Sequence, residues 1–494
     1  MAKIALSGSS LTVADVAALA TGADLVVAPD ALARMARARA VIDDAVASGK
    51  PVYGVTTGLG PRVVETVDGP ALERFAVTTV RGRAHSAGAD LAERVCRAAL
   101  AVRLNTLLIG AAGARPALAE TLAQWVSAGI APAIRGAGSI GAADLMWGGD
   151  FGLAIIGEGR VWSGGAVMPA ADALQAAKIA PYAPGPREGL ALVSHSSPSA
   201  AIAALVAHDG RAAFEAAQTA AALSMEGFRA NLSILDPDLL TLRPQAGQLK
   251  AAEGLGARLA GSALWSRGAA RRLQDPLSIR NLPQVHGACL AALQTATEAA
   301  EDEINGASDN PGVIESRGEA LSHGGYLTPH LQLALMTLNH AWSQLAAAQC
   351  ARISKLLAAR FTDLPQGLVA QGSEAAGLGP VTKTVEALWA EIAHLAAPPP
   401  IFPGVSADGL EDVSCHTAIA AKAGLDILDR LRRLTAIELI VAAQAVELRD
   451  LGDALAPALH PVLSRIRQHI PHLTEDIPLG APIEALAADL PENA

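Results

Sequence analysis

Long alanine-rich stretches with apolar residues at helical spacing dominate this chain and leave little room for anything but a helical body. They run from Ala200 to Leu223, Ala288 to Glu303, Pro329 to Arg360, Val381 to Ala396 and Cys415 to Leu448. Several exceed the ~11–12 residues of an average helix. Aromatic residues make up 3% of the chain although 51% of it is hydrophobic. Ala, Leu, Val and Ile must therefore fill the core, which suits closely approaching helices better than a sheet. The expected class is all-α, a long-helix bundle, and 494 residues exceed the ~250–300 at which one core stops growing. The expected organisation is an N-terminal helical and loop domain over 1–110, a central helical bundle over 111–470 and a C-terminal tail over 471–494.

The formal net charge is −10 and the Lys and Arg residues are dispersed, so no basic stripe tracks a phosphate backbone and nucleic acid is not an expected partner. The start, Met-Ala-Lys-Ile-Ala-Leu-Ser, lacks the pattern of a secretory signal, and the longest uncharged run, near Leu190 to Ala207, is broken by Ser194-His195-Ser196-Ser197-Pro198. A soluble, cytoplasmic protein without a membrane partner is expected. Cys96, Cys289, Cys350 and Cys415 lie far apart and form no CxxC pair, which fits buried thiols better than disulfides or metal ligands.

Glycine-rich breaks interrupt the helical pattern at Tyr53-Gly54-Val55-Thr56-Thr57-Gly58-Leu59-Gly60 and from Arg135 to Gly149. Such interruptions weaken packing unless they serve a site. The first resembles the YGxNTGFG loop of the histidine and phenylalanine ammonia-lyases. In the same order along the chain, His85-Ser86-Ala87-Gly88 resembles their SHAAG and Gly138-Ser139-Ile140-Gly141-Ala142 their GSVGASGDL. Gly157-Glu158-Gly159 is similar to IGEG, Glu188-Gly189-Leu190-Ala191-Leu192 to KEGLAL, and Gln274-Asp275-Pro276-Leu277-Ser278-Ile279-Arg280 with Pro283-Gln284-Val285 to QDxYSxRCxPQV. Glu303-Ile304-Asn305 with Ser308-Asp309-Asn310-Pro311 is similar to ENxxSDNP, and Glu411-Asp412-Val413-Ser414 to QEDHVS. Ordered motifs across most of the chain identify it as a member of the aromatic amino-acid ammonia-lyase superfamily.

That resemblance implies an all-helical homotetramer whose active sites combine loops from more than one subunit, acting on a small histidine-derived molecule. It implies that Tyr53 removes the β-proton and that Arg280 clamps the substrate carboxylate, for which a planar, permanently charged fork is well suited. His85 matches a histidine near the substrate amine, and Asn305 is expected to hold the carboxylate or the cofactor loop.

One departure bears directly on the chemistry. The ammonia-lyases form their electrophile, a methylidene-imidazolone (MIO), from Ala-Ser-Gly, whereas this chain reads Gly141-Ala142-Ala143-Asp144-Leu145. The Ser-Gly pair is missing, so no cofactor is expected. MIO activates a primary amine, while a trimethylammonium has no lone pair to offer and already leaves as neutral trimethylamine. Other changes fall on segments that handle the amine. Ser194-His195-Ser196-Ser197 stands in place of the family's asparagine segment, Leu277 in place of a tyrosine, and Gly324-Gly325-Tyr326-Leu327-Thr328 in place of NFHG. Ser194 and Tyr326 thus become candidate substrate contacts. The ergothionase branch of the superfamily, which eliminates trimethylamine from ergothioneine, fits this pattern.

An elimination without a cofactor depends on positioned acids and bases. Glu411 is a candidate to orient or deprotonate the heterocycle, and Lys383 to donate a proton or charge to it. Trp147 fits core packing better than a cation–π role. An MIO-dependent ammonia-lyase or aminomutase, and a catalytically silent helical scaffold, are the other readings the sequence allows.

Overall fold

The computed structural model describes residues 3–67, 71–369, 374–399, 404 and 406–490. Their contacts divide the chain into two compact units. Unit 1 takes Met1–His208, Ala296–Leu335 and Pro399–Lys422, and unit 2 takes Asp209–Thr295, Met336–Pro398 and Ala423–Ala494. Each unit is thus assembled from separated stretches, a division that consecutive blocks cannot express.

The class is all-α, as the alanine-rich periodicity requires. The expected stretches become the helices Ser197–Phe228, Leu282–Ile304, Pro329–Leu356, Thr382–Leu395 and Thr417–Leu448. The second begins earlier than the apolar run because Pro283 sits in its first turn, where the missing N–H costs nothing. The stretch 188–228 is long and apolar enough to cross a membrane, and its apolar window is entirely buried inside the protein.

In unit 1, Ile4–Leu6 and Leu25–Val27 pair in parallel, and the helix Pro29–Ser48 follows. That helix sets Ala38, Ile42 and Ala45 against Val52, Val55 and Val313, directly beneath the Tyr53 loop. Nearly every residue of the helix Glu93–Leu107 is buried, including Arg103, whose guanidinium grips Asp309 with two bonds of 2.8 and 3.0 Å. Three short antiparallel sheets, such as Ala87–Asp90 with Arg135–Ala137, hold the loops between helices.

The helices Ala71–Arg81, Leu145–Ile155 and Glu188–Val193 approach unusually closely. A Cβ on Gly148 would lie 2.1 Å from the Val193 carbonyl oxygen, one on Gly149 2.1 Å from that of Arg83, and one on Gly189 2.2 Å from that of Ala76. Gly148 and Gly149, which read as part of a loop in the sequence, therefore lie inside a helix and serve backbone-to-backbone packing.

Unit 2 contains the remaining lengths of the long helices together with His460–His469 and Gly480–Asp489. Its core is aliphatic, with Leu345, Ile353, Ile427, Leu431 and Leu434 fully buried. All four cysteines are free thiols, and all but Cys350 are buried.

Candidate active site

The Tyr53 loop is a compact turn. Val55, Thr56 and Thr57 all donate their amides to the Val52 carbonyl at 3.0–3.3 Å, and Thr56 Oγ1 accepts from the Val52 amide at 2.8 Å. Two glycines are required. Gly54 has φ +64° with no room beside the side chains of Leu190 and Leu59, and a Cβ on Gly58 would meet the Arg62 carbonyl oxygen at 2.3 Å. The turn carries Tyr53, half-buried, so that its hydroxyl oxygen accepts the Gly60 amide at 2.9 Å.

Arg83, which sequence reading did not single out, stands near this tyrosine. Its half-buried guanidinium is held below its ordinary value by burial, while Tyr53 and Glu411 oppose that shift. Tyr53, Arg83 and Glu411 thus form one electrostatic group within unit 1. Arg187, fully buried and also coupled to Tyr53, is pushed down to about 10 by burial. It spends its donors on the carbonyls of Ala112, Asn310 and Pro311. Glu411 is half-buried, with its amide on the Ser406 carbonyl at 3.2 Å. The preceding residues 400–403 and 405 lie outside the described residues.

The segment in place of the family's Ala-Ser-Gly is tightly fixed. The Ala143 amide donates to the Tyr326 carbonyl at 3.1 Å and the Ala143 carbonyl accepts the His195 amide at 3.0 Å. Gly141, Ala143 and Asp144 all adopt positive φ, and Gly141 lies so close to Cys415 and His416 that a Cβ would sit 2.7 Å from each. Asp144 is buried, and its carboxylate accepts the Ser139 hydroxyl, the Ser199 hydroxyl at 2.8 Å and the Ser199 amide at 2.9 Å. Burial pushes this carboxyl up from its usual range, and those hydrogen bonds act against it. These residues do not fit an MIO. Ala142, Ala143 and Asp144 carry no hydroxyl whose loss could form its methylene, and the Asp144 side chain is committed to Ser139 and Ser199.

Glu303, half-buried, is a second acid coupled to Asp144. It is pushed up to about 7, first by burial and then by Asp302 and Asp144. Between its ordinary 4.5 and about 7 the folded protein retains a proton that the unfolded chain has lost, so stability falls as pH rises through that window. Glu303→Gln is expected to unfold later than wild type at pH 8 by about 1–3 kcal/mol and to match it near pH 4. Denaturant titrations at both pH values check this, and identical midpoints at pH 8 would contradict it.

The other expected residues are distributed as follows. Ser194 is buried at the end of the helix Glu188–Val193, beside His195. Burial holds that imidazole well below its ordinary value, edge-on to Phe151 at 5.2 Å. Tyr326 is half-buried, and its carbonyl accepts both the Ala143 amide and the Ser196 hydroxyl, the latter at 3.2 Å. His85 is exposed, next to Ser86, whose hydroxyl donates to Asp150. Asn305 needs correction. Its amide oxygen accepts from Leu11 and Asn105, and its amide nitrogen donates to the Leu11 and Glu301 carbonyls at 2.8 Å. All its hydrogen-bonding capacity is spent on Leu11, Asn105 and Glu301, leaving none for a substrate. Trp147 is buried in the core.

Arg280 and Lys383 belong to unit 2. Arg280 ends the short helix Leu277–Arg280 and lines a cavity of about 540 Å³ together with Arg243, Asp275 and Gln284. Lys383 is exposed in the first turn of the helix Thr382–Leu395. Among the described residues no cluster of His, Cys, Asp and Glu could hold a metal ion.

Comparison with known proteins agrees with this architecture. The chain is 34% identical to a histidine ammonia-lyase of Geobacillus thermodenitrificans, over 99% of this chain and 98% of that protein. It is 33% identical to that of Symbiobacterium thermophilum, over 97% and 95%. Among solved structures it superposes with TM-score 0.94 on the ergothioneine-degrading ergothionase of Treponema denticola, at 28% identity over 99% of this chain and 98% of that one. It superposes with TM-score 0.91 on histidine ammonia-lyase of Trypanosoma cruzi, at 28% identity over 99% and 93%. The sequence pattern of the aromatic amino acid lyases matches residues 11–468, so the chain belongs to the aromatic amino acid lyase family and is a carbon–nitrogen lyase.

Proposed function

We propose that this protein eliminates trimethylamine from a trimethylated histidine betaine, ergothioneine first among them, to give thiourocanate without an MIO. The observation that carries this reading is Ala142-Ala143-Asp144, a segment with no serine to form the electrophile, in a chain that retains the tyrosine, arginine and glutamate motifs of the family. Similarity to the ergothioneine-degrading enzyme of Treponema denticola supports it.

In this reaction Tyr53, as phenolate, takes the β-proton. The C–H electrons form the C=C bond, and the C–N bond breaks with its electrons on nitrogen, releasing neutral trimethylamine. No oxidant or reductant is needed. Arg280 holds the carboxylate in a bidentate fork. Glu411 orients the heterocycle, and Lys383 supplies positive charge, or lends a proton that the ring returns as the C–N bond breaks, while electron density builds transiently on that ring. His85, Ser194 and Tyr326 contact the rest of the substrate. Arg83 joins this set through its electrostatic coupling to Tyr53 and Glu411. We further propose that the enzyme works in the cytoplasm as a homotetramer in which loops of several subunits complete each site.

The histidine ammonia-lyases among its relatives, 33–34% identical, favour a second reading, release of ammonia from L-histidine to give urocanate through an MIO. Purified protein incubated separately with ergothioneine, hercynine and L-histidine distinguishes the two. Trimethylamine together with a new conjugated ultraviolet absorber is expected from ergothioneine. Ammonia from L-histidine, with no turnover of either betaine, would reject the proposal.

A further inference from the structure

In unit 2 a charged pair lies within the aliphatic interior. The side chains of Arg352 and Glu438 are both 0% exposed. Glu438 Oε1 accepts Arg352 Nε at 2.6 Å and the Ser224 hydroxyl at 2.9 Å, and Oε2 accepts Arg352 Nη2 and Gln349 Nε2, each at 3.0 Å. The carboxylate is therefore saturated by groups from the helices Ser197–Phe228 and Pro329–Leu356, while it is itself carried by Thr417–Leu448.

Stability alone does not explain such a pair. Desolvating two charges offsets most of their attraction, and apolar replacements of similar volume are often as stable or more so. What the pair does achieve is orientation. With Nε and Nη2 fixed on the carboxylate, the planar guanidinium has its Nη1 aimed in one direction, and it donates at 3.3 Å to the carbonyl of Ser278. Ser278 lies in the single-turn helix Leu277–Arg280, two residues before the guanidinium that faces the cavity. One helical turn has too few internal bonds to hold its own direction. On its N-terminal side the segment is tied by Asp275, which accepts the Asn231 amide at 2.7 Å. On the inner side it is tied by Arg352.

We propose that Arg352, locked by Glu438, is a positioning residue that fixes the helix presenting Arg280. This rests on the reading that Arg280 binds the substrate carboxylate. The double variant Arg352→Met/Glu438→Leu removes both charges at similar volume and so leaves no unpaired charge in the interior. With the substrate turned over in the panel above, KM is expected to rise about tenfold, as a displaced clamp would cause, with kcat within about twofold. Arg352→Lys, which retains a charge for Glu438 but has no planar third arm for Ser278, is expected to raise KM in the same direction. Arg280→Gln alone should raise KM, and adding the double variant to it should raise KM little further.

An unchanged KM in folded Arg352→Met/Glu438→Leu, or penalties that multiply fully when combined with Arg280→Gln, would overturn the proposal. If the double variant fails to fold, the KM of Arg352→Lys decides in its place. An unchanged KM for Arg280→Gln would instead defeat the carboxylate reading itself, leaving nothing to position. The two failures are thus distinguishable.

Discussion

Tyr53→Phe is expected to lower kcat/KM by about 10²–10⁴-fold, the usual contribution of a positioned general base, while unfolding within about 1 kcal/mol of wild type. The structure predicts this separation of activity from stability. The phenolic oxygen makes one described hydrogen bond, from the Gly60 amide, and the Tyr53 loop is otherwise closed by its own backbone bonds to Val52 and by Thr56. Loss of the oxygen therefore removes the proposed proton acceptor without dismantling the turn. Steady-state rates and denaturant curves on the same preparation check both halves. Turnover retained within a few-fold would transfer the role of base to another group, and Glu411, coupled to the same Arg83, would be the first to test.

The second large effect concerns the charged interior of unit 1. Arg103 and Asp309 pair with side chains 1% and 0% exposed, and Arg103 also donates to the Ala191 carbonyl at 2.5 Å. Asp309 is also a favourable charge for Arg187, which is buried and, among the described residues, donates to the carbonyl oxygens of Ala112, Asn310 and Pro311. Asp309→Ala would leave two guanidiniums in the interior without this carboxylate. The expected loss is about 3–5 kcal/mol, a large part of the roughly 5–15 kcal/mol by which proteins are usually stable. Urea unfolding measures it directly. A loss below about 1 kcal/mol would show that water or rearranged carbonyls satisfy both cations, and that the pair is less sealed than it looks.

Much of the fold is legible in the sequence because one signal carries it. Alanine and leucine at helical spacing mark the helices Ser197–Phe228, Pro329–Leu356 and Thr417–Leu448 closely, since a long run leaves little freedom in where the apolar face begins and ends. The strands Ala87–Asp90, Arg135–Ala137 and Gly312–Ile314 escape notice because three or four residues cannot establish a period of two. Gly148 and Gly149 mislead for a physical reason. Glycine signals a turn when only local conformation is considered, yet here it serves a close approach to the carbonyls of Val193 and Arg83, a long-range contact that no local pattern encodes.

The candidate site divides in the same way. Tyr53, Glu411 and Arg280 were accessible through motif order, and the structure gives the first two a shared electrostatic neighbour. Arg83 had no signal beyond an arginine next to the His85 motif, because its importance comes from half-burial and from neighbours distant in sequence. Asn305 shows the reverse. Its motif context suggested a ligand, but its amide binds Leu11 and Asn105, and only three-dimensional accounting of donors and acceptors reveals that it is fully occupied. Asp144 enters the sequence reading only as part of the altered segment, and it proves to be the anchor on which that segment is fixed.

The interleaving of the chain between two units also shapes its life on the ribosome. Unit 1 needs Pro399–Lys422 and unit 2 needs the stretch from Ala423 onward, so neither interior can close until most of the polypeptide has emerged. Alanine-rich surfaces made early must wait, exposed, for partners made late, and such delayed closure is the condition under which newly made chains stick to one another. Chaperone supply and growth temperature should therefore govern the yield of this enzyme more strongly than its final stability does.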